Sequence, residues 1–298
     1  MRRRRTRWVL AVLVLTLLSV ALYNRPESAS FSLVKVERAQ AVDFDSGVVW
    51  LLLLGSDADG TDLLEGRADA IQLVGVDFDA GTAVAFGVPR DSWVELEGHG
   101  MNRINAGLTK GGPKLMASSI EDLFGIAPDY VVMIDKAGLR RLVDTVGGIE
   151  INSARPISEG DLAIRKGRNQ IDGAEAVEFA RARFALPRGD LDRAANHQEM
   201  MRGVVRQLAA HRNEIGLVEA GVMAALGVLD TNLGPTELYR LAEAVSQADL
   251  SRVTSCVLNG TPGTTEFGAS IIHVDSRQAQ RLGDDTRDDA RLDGRCRG

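Results

Sequence analysis

Val48-Val49-Trp50-Leu51-Leu52-Leu53-Leu54 runs into Gly55-Ser56-Asp57. Arg67-Ala68-Asp69 then precedes Ile71-Gln72-Leu73-Val74-Gly75-Val76, and Ala83-Val84-Ala85-Phe86-Gly87-Val88 ends in Pro89-Arg90-Asp91. The first stretch is apolar without interruption and stops at a glycine, the pattern of a strand buried on both faces. The second and third are joined by Asp77-Phe78-Asp79-Ala80-Gly81-Thr82, which predicts an antiparallel hairpin. If the first strand runs up the sheet, the second runs down and the third returns. Asp57, Arg67, Asp69, Arg90 and Asp91 then share one rim, where α/β sheets bind ligands. Residues two apart on an extended segment share a face, so Arg67 is expected beside Asp69. A single Asp–Arg pair at a strand end reads as solvated turn chemistry. The combination reads as a metal-bridged phosphate site, because carboxylates bind hard cations and arginine forks bind phosphate oxygens.

Working outward, the periodicity predicts a helix over Pro113–Phe124 with Leu115, Met116, Ser119, Ile120 and Leu123 on its buried side. A strand at Tyr130–Ile134, a helix at Lys136–Val146, the break Gly147-Gly148 and a strand at Ile149–Ile151 follow. A short helix over Ala174–Ala180 ends in Arg181-Ala182-Arg183. Arg188-Gly189-Asp190-Leu191-Asp192 caps a long helix from Arg193 to near His211. Alternating strands and helices imply a layered α/β domain. The 298 residues, 45% of them hydrophobic, contain no Pro- or Ser-rich linker and suit one core. Arg193, Asn196 and His197 fall at i, i+3 and i+4 and are expected on one exposed face near a helix N-terminus, which attracts anions.

The chain starts differently. Residues 1–7 carry five arginines, 8–23 are uncharged, and Asn24-Arg25-Pro26 follows. This is an export signal, expected to stay as a transmembrane anchor with a basic cytoplasmic stub, although Ser19-Val20-Ala21 also has the form of a cleavage site. The positive-inside rule places everything after Arg25 outside the cytoplasm. Residues 24–46, including Phe31–Asp45, are expected to be a tether, 47–282 the domain and 283–298 a tail. Setting aside the five N-terminal arginines takes the net charge from −6 to −11, which argues against nucleic acid as a partner. Cys256 and Cys296 are too few for a metal site and, in an exported chain, are a candidate disulfide or two free thiols. His99, His197, His211 and His273 show no paired spacing, and no Walker loop or Gly-x-Ser-x-Gly elbow is present.

The ordered set G-S-D (55–57), R-x-D (67–69), P-R-D-S (89–92), R-I-N-A (103–106), G-G-P (111–113), V-D-x-V-G-G-I (143–149), R-x-R (181–183) and G-D-x-x-R (189–193) resembles the LytR-CpsA-Psr family of cell-wall glycopolymer transferases. The resemblance covers Val48–Leu208 well and Thr254–Leu282 weakly. It implies a single α-β-α sandwich with a central mixed sheet and an apolar cavity for polyprenyl pyrophosphate. It also implies transfer of a glycopolymer, such as teichoic acid, capsule or arabinogalactan, from its lipid carrier to peptidoglycan as a phosphodiester. Carried over by residue, Asp57 and Asp69 would hold Mg²⁺. Arg67, Arg90, Arg103, Arg181, Arg183, Arg193 and Gln198 would contact the pyrophosphate, with Arg67, Arg90 and Asp91 nearest the chemistry. Asp91 would orient Arg90 or accept the hydroxyl proton. The apolar helices over Leu115–Phe124 and Val204–Val228 are candidates to line the lipid channel.

One departure stands out. Past Arg193 the family commonly has another arginine and two glutamines, whereas this chain has Asn196-His197-Gln198, where a protonated His197 could restore the missing charge. Two alternatives stand beside the transferase: a non-catalytic binder of polyprenyl-pyrophosphate intermediates, and a polyprenyl-pyrophosphate hydrolase.

Overall fold

The computed structural model describes residues 31–35, 47–58, 62–77, 80–210, 229–231, 252–293 and 296. At its centre is a seven-stranded sheet. Its order is Leu229–Thr231 (β12), Phe31–Lys35 (β1), Tyr130–Ile134 (β7), Val48–Ser56 (β2), Ala68–Asp77 (β3), Thr82–Gly87 (β4) and Val253–Val257 (β13). β2 and β3 pair antiparallel, as do β3 and β4, while β7 runs parallel to β2 and β13 parallel to β4. The sheet is therefore mixed, and the β3–β4 hairpin, β2 and β7 match the sequence pattern to within a few residues.

The apolar run of β2 is buried through most of its length because both faces of the sheet are covered. On one face Trp50, Leu52, Leu54, Ile71, Leu73 and Phe86 form the main core with Leu108, Met116, Ile120 and Phe124 of Gly107–Phe124 (α1) and Leu282 of Ser276–Thr286 (α5). Ile71, Leu73 and Val84 lie on this side while Gln72 and Ala85, their neighbours in sequence, meet Asp190–Ala210 (α4) on the other. Helix layers thus enclose the sheet. Gly75 has a packing reason: a Cβ there would lie 2.6 Å from the Trp50 indole, its cross-strand neighbour.

A second core lies beside the sandwich. Lys136–Thr145 (α2), Ile149–Ser153 (β8), Ile157–Glu159 (β9), Leu162–Ile164 (β10), Gly167–Ile171 (β11) and Gly173–Arg181 (α3) supply Val143, Ile149, Ile151, Ile164, Ile171 and Phe179, with Met200 of α4 closing it. Two further hairpins, Trp93–Leu96 (β5) with Gly100–Arg103 (β6) and Gly260–Thr264 (β14) with Ser270–Val274 (β15), sit at the sheet's functional end. They touch through the bridge Ser92–Ile272.

Two expectations need correcting and one extending. Phe31–Lys35, read as tether, is a strand: it runs antiparallel to β7 with Phe31 opposite Ile134, and so supplies the backbone partners that β7 lacks on that side. The helix expected over Pro113–Phe124 is present, and a short helical segment from Gly107 precedes it across a kink at Gly112, whose φ of 69° only glycine adopts freely. The tail is structured past residue 282: α5 continues to Thr286, Ala290 is fully buried, and the backbone oxygens of Arg287 and Asp289 accept from Trp50 Nε1 (3.3 Å) and Thr82 Oγ1 (2.9 Å). Cys256 and Cys296 are joined in a disulfide that fastens this segment to β13, with Cα atoms 5.4 Å apart. Residues 8–23, expected as the anchor, and residues 211–228 of the expected lipid channel lie outside the described residues. Among the described residues no helix is long and apolar enough to cross a membrane.

Candidate functional site

The sequence Pro89-Arg90-Asp91-Ser92 leaves β4 in a tight turn, with Ser92 N–H and Oγ both donating to Pro89 O (3.0 and 2.6 Å). Three further backbone bonds lock the turn. Asn105 N–H donates to Arg90 O (3.2 Å), Ile104 N–H to Ser92 O (2.8 Å), and Ile272 N–H to Asp91 O (2.8 Å). The Arg-Ile-Asn-Ala motif and β15 thus hold the backbone of Arg90 and Asp91, and Asn105 is nearly completely buried.

Arg90 is the hub. Its Nη1 lies 2.5 Å from Asp69 Oδ1, and its Nε lies 3.8 Å from Asp91 Oδ1 and 3.9 Å from Asp190 Oδ1. Asp190, in the first turn of α4, pairs closely with Arg193 one turn later, and Arg103 approaches Asp91 at 3.7 Å. Asp91, Asp190 and Arg193 are buried. Asp69 reaches this cluster from a β-bulge: Gly55 faces Ala70 while Ser56 faces Ala68, which leaves Asp69 as the extra residue. Bulges re-aim side chains in this way beside functional sites.

Burial and charge act against each other here. Burial opposes the charge on Arg90, yet Asp69, Asp91 and Asp190 outweigh it and hold the guanidinium above its ordinary pKa. Asp91 is pushed up, first by burial and then by repulsion from Asp190, against the pull of Arg90, Arg103 and Arg183. Arg193 is lowered by burial despite Asp190. Several buried atoms lack a hydrogen bond: Arg90 Nε, Asp91 Oδ1 and Asp190 Oδ2. Buried polar atoms left unpaired cost about 1–3 kcal/mol each, so a cluster of donors and acceptors at one place is a site made for a polar ligand.

Other expected site residues fall elsewhere. Arg67 is half-exposed and pairs with Asp57 (3.2 Å), whose Oδ1 also accepts Arg67 N–H (2.6 Å), while Asp69 takes Arg90 instead. Asp57 and Asp69 are thus each engaged by a different arginine. Arg181 is exposed and pairs with Glu178 on its own helix (3.1 Å), while the charge of Arg183 favours the ionised form of Asp91. Among the described residues no group of three or more His, Cys, Asp or Glu forms a metal cage. Mg²⁺ needs none: one or two carboxylates and substrate phosphate oxygens suffice, and Asp69 Oδ1 is a donor atom of the right chemistry.

The Asn196-His197-Gln198 stretch is not the exposed cationic face expected. His197 is buried, and its pKa falls to about 4, chiefly through burial and also through Arg193. The neutral ring donates from Nε2 to Ala180 O (2.8 Å) and so fixes the end of α3 rather than meeting an anion. Gln198 spends its amide N–H groups on Ala85 O (3.3 Å) and Cys256 O (2.8 Å), docking α4 onto β4 and β13 instead of a phosphate. Gly87 makes room for it, since a Cβ there would lie 3.1 Å from the Gln198 amide nitrogen and 3.2 Å from that of Gln72. Asp190 was legible only as a helix cap; the signal for its role was its i, i+3 spacing to Arg193.

The family model for the LytR_cpsA_psr family matches residues 19–288. The chain belongs to this family. Relatives within it include the regulatory protein MsrR of Staphylococcus aureus, 28% identical over 70% of this chain and 63% of that protein. The probable cell wall biosynthesis protein LcpB of Corynebacterium glutamicum is 32% identical over 64% of this chain and 49% of that protein. The polyisoprenyl-teichoic acid–peptidoglycan teichoic acid transferase TagU of Bacillus cereus is 26% identical over 80% and 82%. The chain thus spans about half to just under two thirds of the length of MsrR and LcpB. The LytR_cpsA_psr fold is also that of B. subtilis TagT (TM-score 0.66, 22% identity, covering 89% of this chain and 97% of that one). TagT with bound octaprenyl pyrophosphate lipid gives 0.63 at 20% identity, covering 89% and 96%.

Proposed function

We propose that this protein transfers a glycopolymer from a polyprenyl-pyrophosphate carrier to peptidoglycan through a phosphodiester bond. The observation that carries the reading is the buried cluster around Arg90, where Arg103 and Arg193 share its carboxylates and Arg90 Nε is left without an acceptor, a donor that a pyrophosphate oxygen would satisfy, while the unpaired carboxylate oxygens of Asp69 and Asp91 suit a cation or a proton. The naming of TagU as a teichoic acid transferase, and the octaprenyl pyrophosphate bound by TagT, supports the same substrate class.

In this reading a muramic acid hydroxyl attacks the sugar-linked phosphorus, a new P–O bond forms, and the bond to polyprenyl phosphate breaks. Arg90, Arg103, Arg183 and Arg193 neutralise charge growing on the phosphate oxygens. Asp91, with its raised proton affinity, takes the hydroxyl proton. Mg²⁺ held by Asp57 and Asp69 would add Lewis-acid neutralisation of the pyrophosphate. Residues 8–23 serve as a single-pass anchor with the N-terminus inside, which keeps the domain extracytoplasmic beside its lipid substrate.

The test is a transfer assay with the full chain, a polyprenyl-pyrophosphate oligosaccharide, peptidoglycan fragments and Mg²⁺. Covalent sugar-phosphate attachment that disappears in Asp69→Ala, in Arg90→Ala and with chelator supports the proposal. Release of free polymer without attachment would instead make the protein a hydrolase, and lipid binding with neither outcome would make it a binder.

A further inference from the structure

Phe184 is 89% exposed, although an aromatic side chain of this size is ordinarily stabilised by burial. The loop that carries it is not loose. Glu159 Oε2, from β9, accepts the N–H groups on both sides of it, Arg183 (2.9 Å) and Ala185 (3.1 Å). Leu186 N–H donates to Arg183 O (3.1 Å), and Ala182 and Leu186 are both buried in the second core. The ring is therefore held out in water by anchors before and after it. The loop runs on through Gly189, whose oxygen accepts from Arg193 N–H (3.0 Å), into Asp190 of the Arg90 cluster, so the ring is borne by the segment that leads into the proposed reaction centre. Arg181 and Arg188, both about 60% exposed, occupy the same stretch of chain.

We infer that Phe184 is a stacking platform for a sugar ring of the glycan, an inference that rests on the transferase reading above. The C–H face of a pyranose packs on an aromatic ring while its hydroxyl or anionic groups remain free for donors, and the exposed guanidinium groups of Arg181 and Arg188, held by Glu178 (3.1 Å) and Asp192 (2.6 Å), have further N–H groups to supply. A polyprenyl tail is the poorer match, because it requires enclosure by apolar surface on several sides and this ring lies open among arginines. A rigidly presented aromatic also recognises a ligand at little entropic cost. The sugar belongs to either the carrier-linked glycan or the peptidoglycan acceptor, and the two share the same stacking chemistry.

Full-length wild type, Phe184→Ala and Phe184→Tyr are compared in two measurements. The first is binding of polyprenyl pyrophosphate with and without its oligosaccharide, and of peptidoglycan fragments alone. The second is the initial rate of transfer as each substrate is varied. Phe184→Ala is expected to weaken one saccharide ligand about tenfold, seen as a higher Kd and KM with kcat nearly constant. Phe184→Tyr should restore wild-type values, and sugar-free polyprenyl pyrophosphate should bind all three alike. A change confined to the carrier-linked oligosaccharide assigns the ring to the donor, and one confined to peptidoglycan fragments assigns it to the acceptor. Unchanged binding of both saccharides, or an equal loss with sugar-free lipid, overturns the inference. The binding measurements decide it even if wild type transfers nothing, an outcome that counts against the transferase reading alone.

Discussion

Asp69 and Arg90 meet at 2.5 Å although β3 ends its register with β4 at the pair Gln72–Gly87. The contact forms beyond the last paired residues, where a bulge turns Asp69 outward and the Pro89–Ser92 turn carries Arg90 back over the strand end. Arg90 thus links an acid on β3, its own neighbour Asp91 and an acid on α4, so its guanidinium is oriented by three carboxylates before any substrate arrives.

Arg90→Lys tests that orientation. Lysine keeps the charge but cannot span three carboxylates with a planar fork. Transfer is expected to fall by about one to two decades, in keeping with the loss of a charged hydrogen bond of roughly 1.5–3 kcal/mol, while the melting temperature changes little. Wild-type kcat in the lysine variant would show that charge alone is needed.

The raised proton affinity of Asp91 has two consequences. As a base it must be ionised, so the rate is expected to fall as pH drops through its raised pKa, and Asp91→Asn should lose most activity at every pH. Stability follows the opposite sense. A carboxyl that is easier to protonate in the folded state than in the unfolded chain binds more protons when folded, so it costs stability as pH rises past the unfolded value. Asp91→Asn is therefore expected to melt higher than wild type at neutral pH and to match it in acid. Thermal melts across pH check this independently of the rate profile.

His197 behaves in the reverse way. Its folded pKa of about 4 lies below the ordinary 6.5, so the neutral, buried ring contributes stability that is present above pH 6.5 and is lost as pH falls toward 4. On the order of 3 kcal/mol is at stake. His197→Gln, whose amide still donates to Ala180 O, should flatten that acid loss and retain transfer activity. An equally steep decline in this variant would place the acid sensitivity elsewhere.

The disulfide closes a separation of 40 residues between Cys256 and Cys296. Cys296→Ser is expected to lower unfolding free energy by roughly 2–4 kcal/mol in denaturant titrations. Because Cys256 O also accepts from Gln198, part of the loss should appear as weaker docking of α4, readable as faster hydrogen exchange in that helix.

Local pattern was enough for the four strands at the middle of the sheet and for the family. An unbroken apolar run, a hairpin turn and the spacing of acids and arginines depend on neighbours a few residues apart, and each of β2, β3, β4 and β7 is visible in them. The order of the motifs was likewise a property of the chain alone. Which arginine meets which acid was not. Asp69 takes Arg90 rather than Arg67 because a one-residue bulge changes the face of a strand, and a bulge leaves no mark in a period-2 pattern. His197 and Gln198 resemble phosphate ligands by spacing, but their protonation and hydrogen bonds were settled by burial against Ala180, Ala85 and Cys256, residues distant in sequence. The charge of a side chain depends on the solvent that folding removes from it, and that removal is a property of the packed whole.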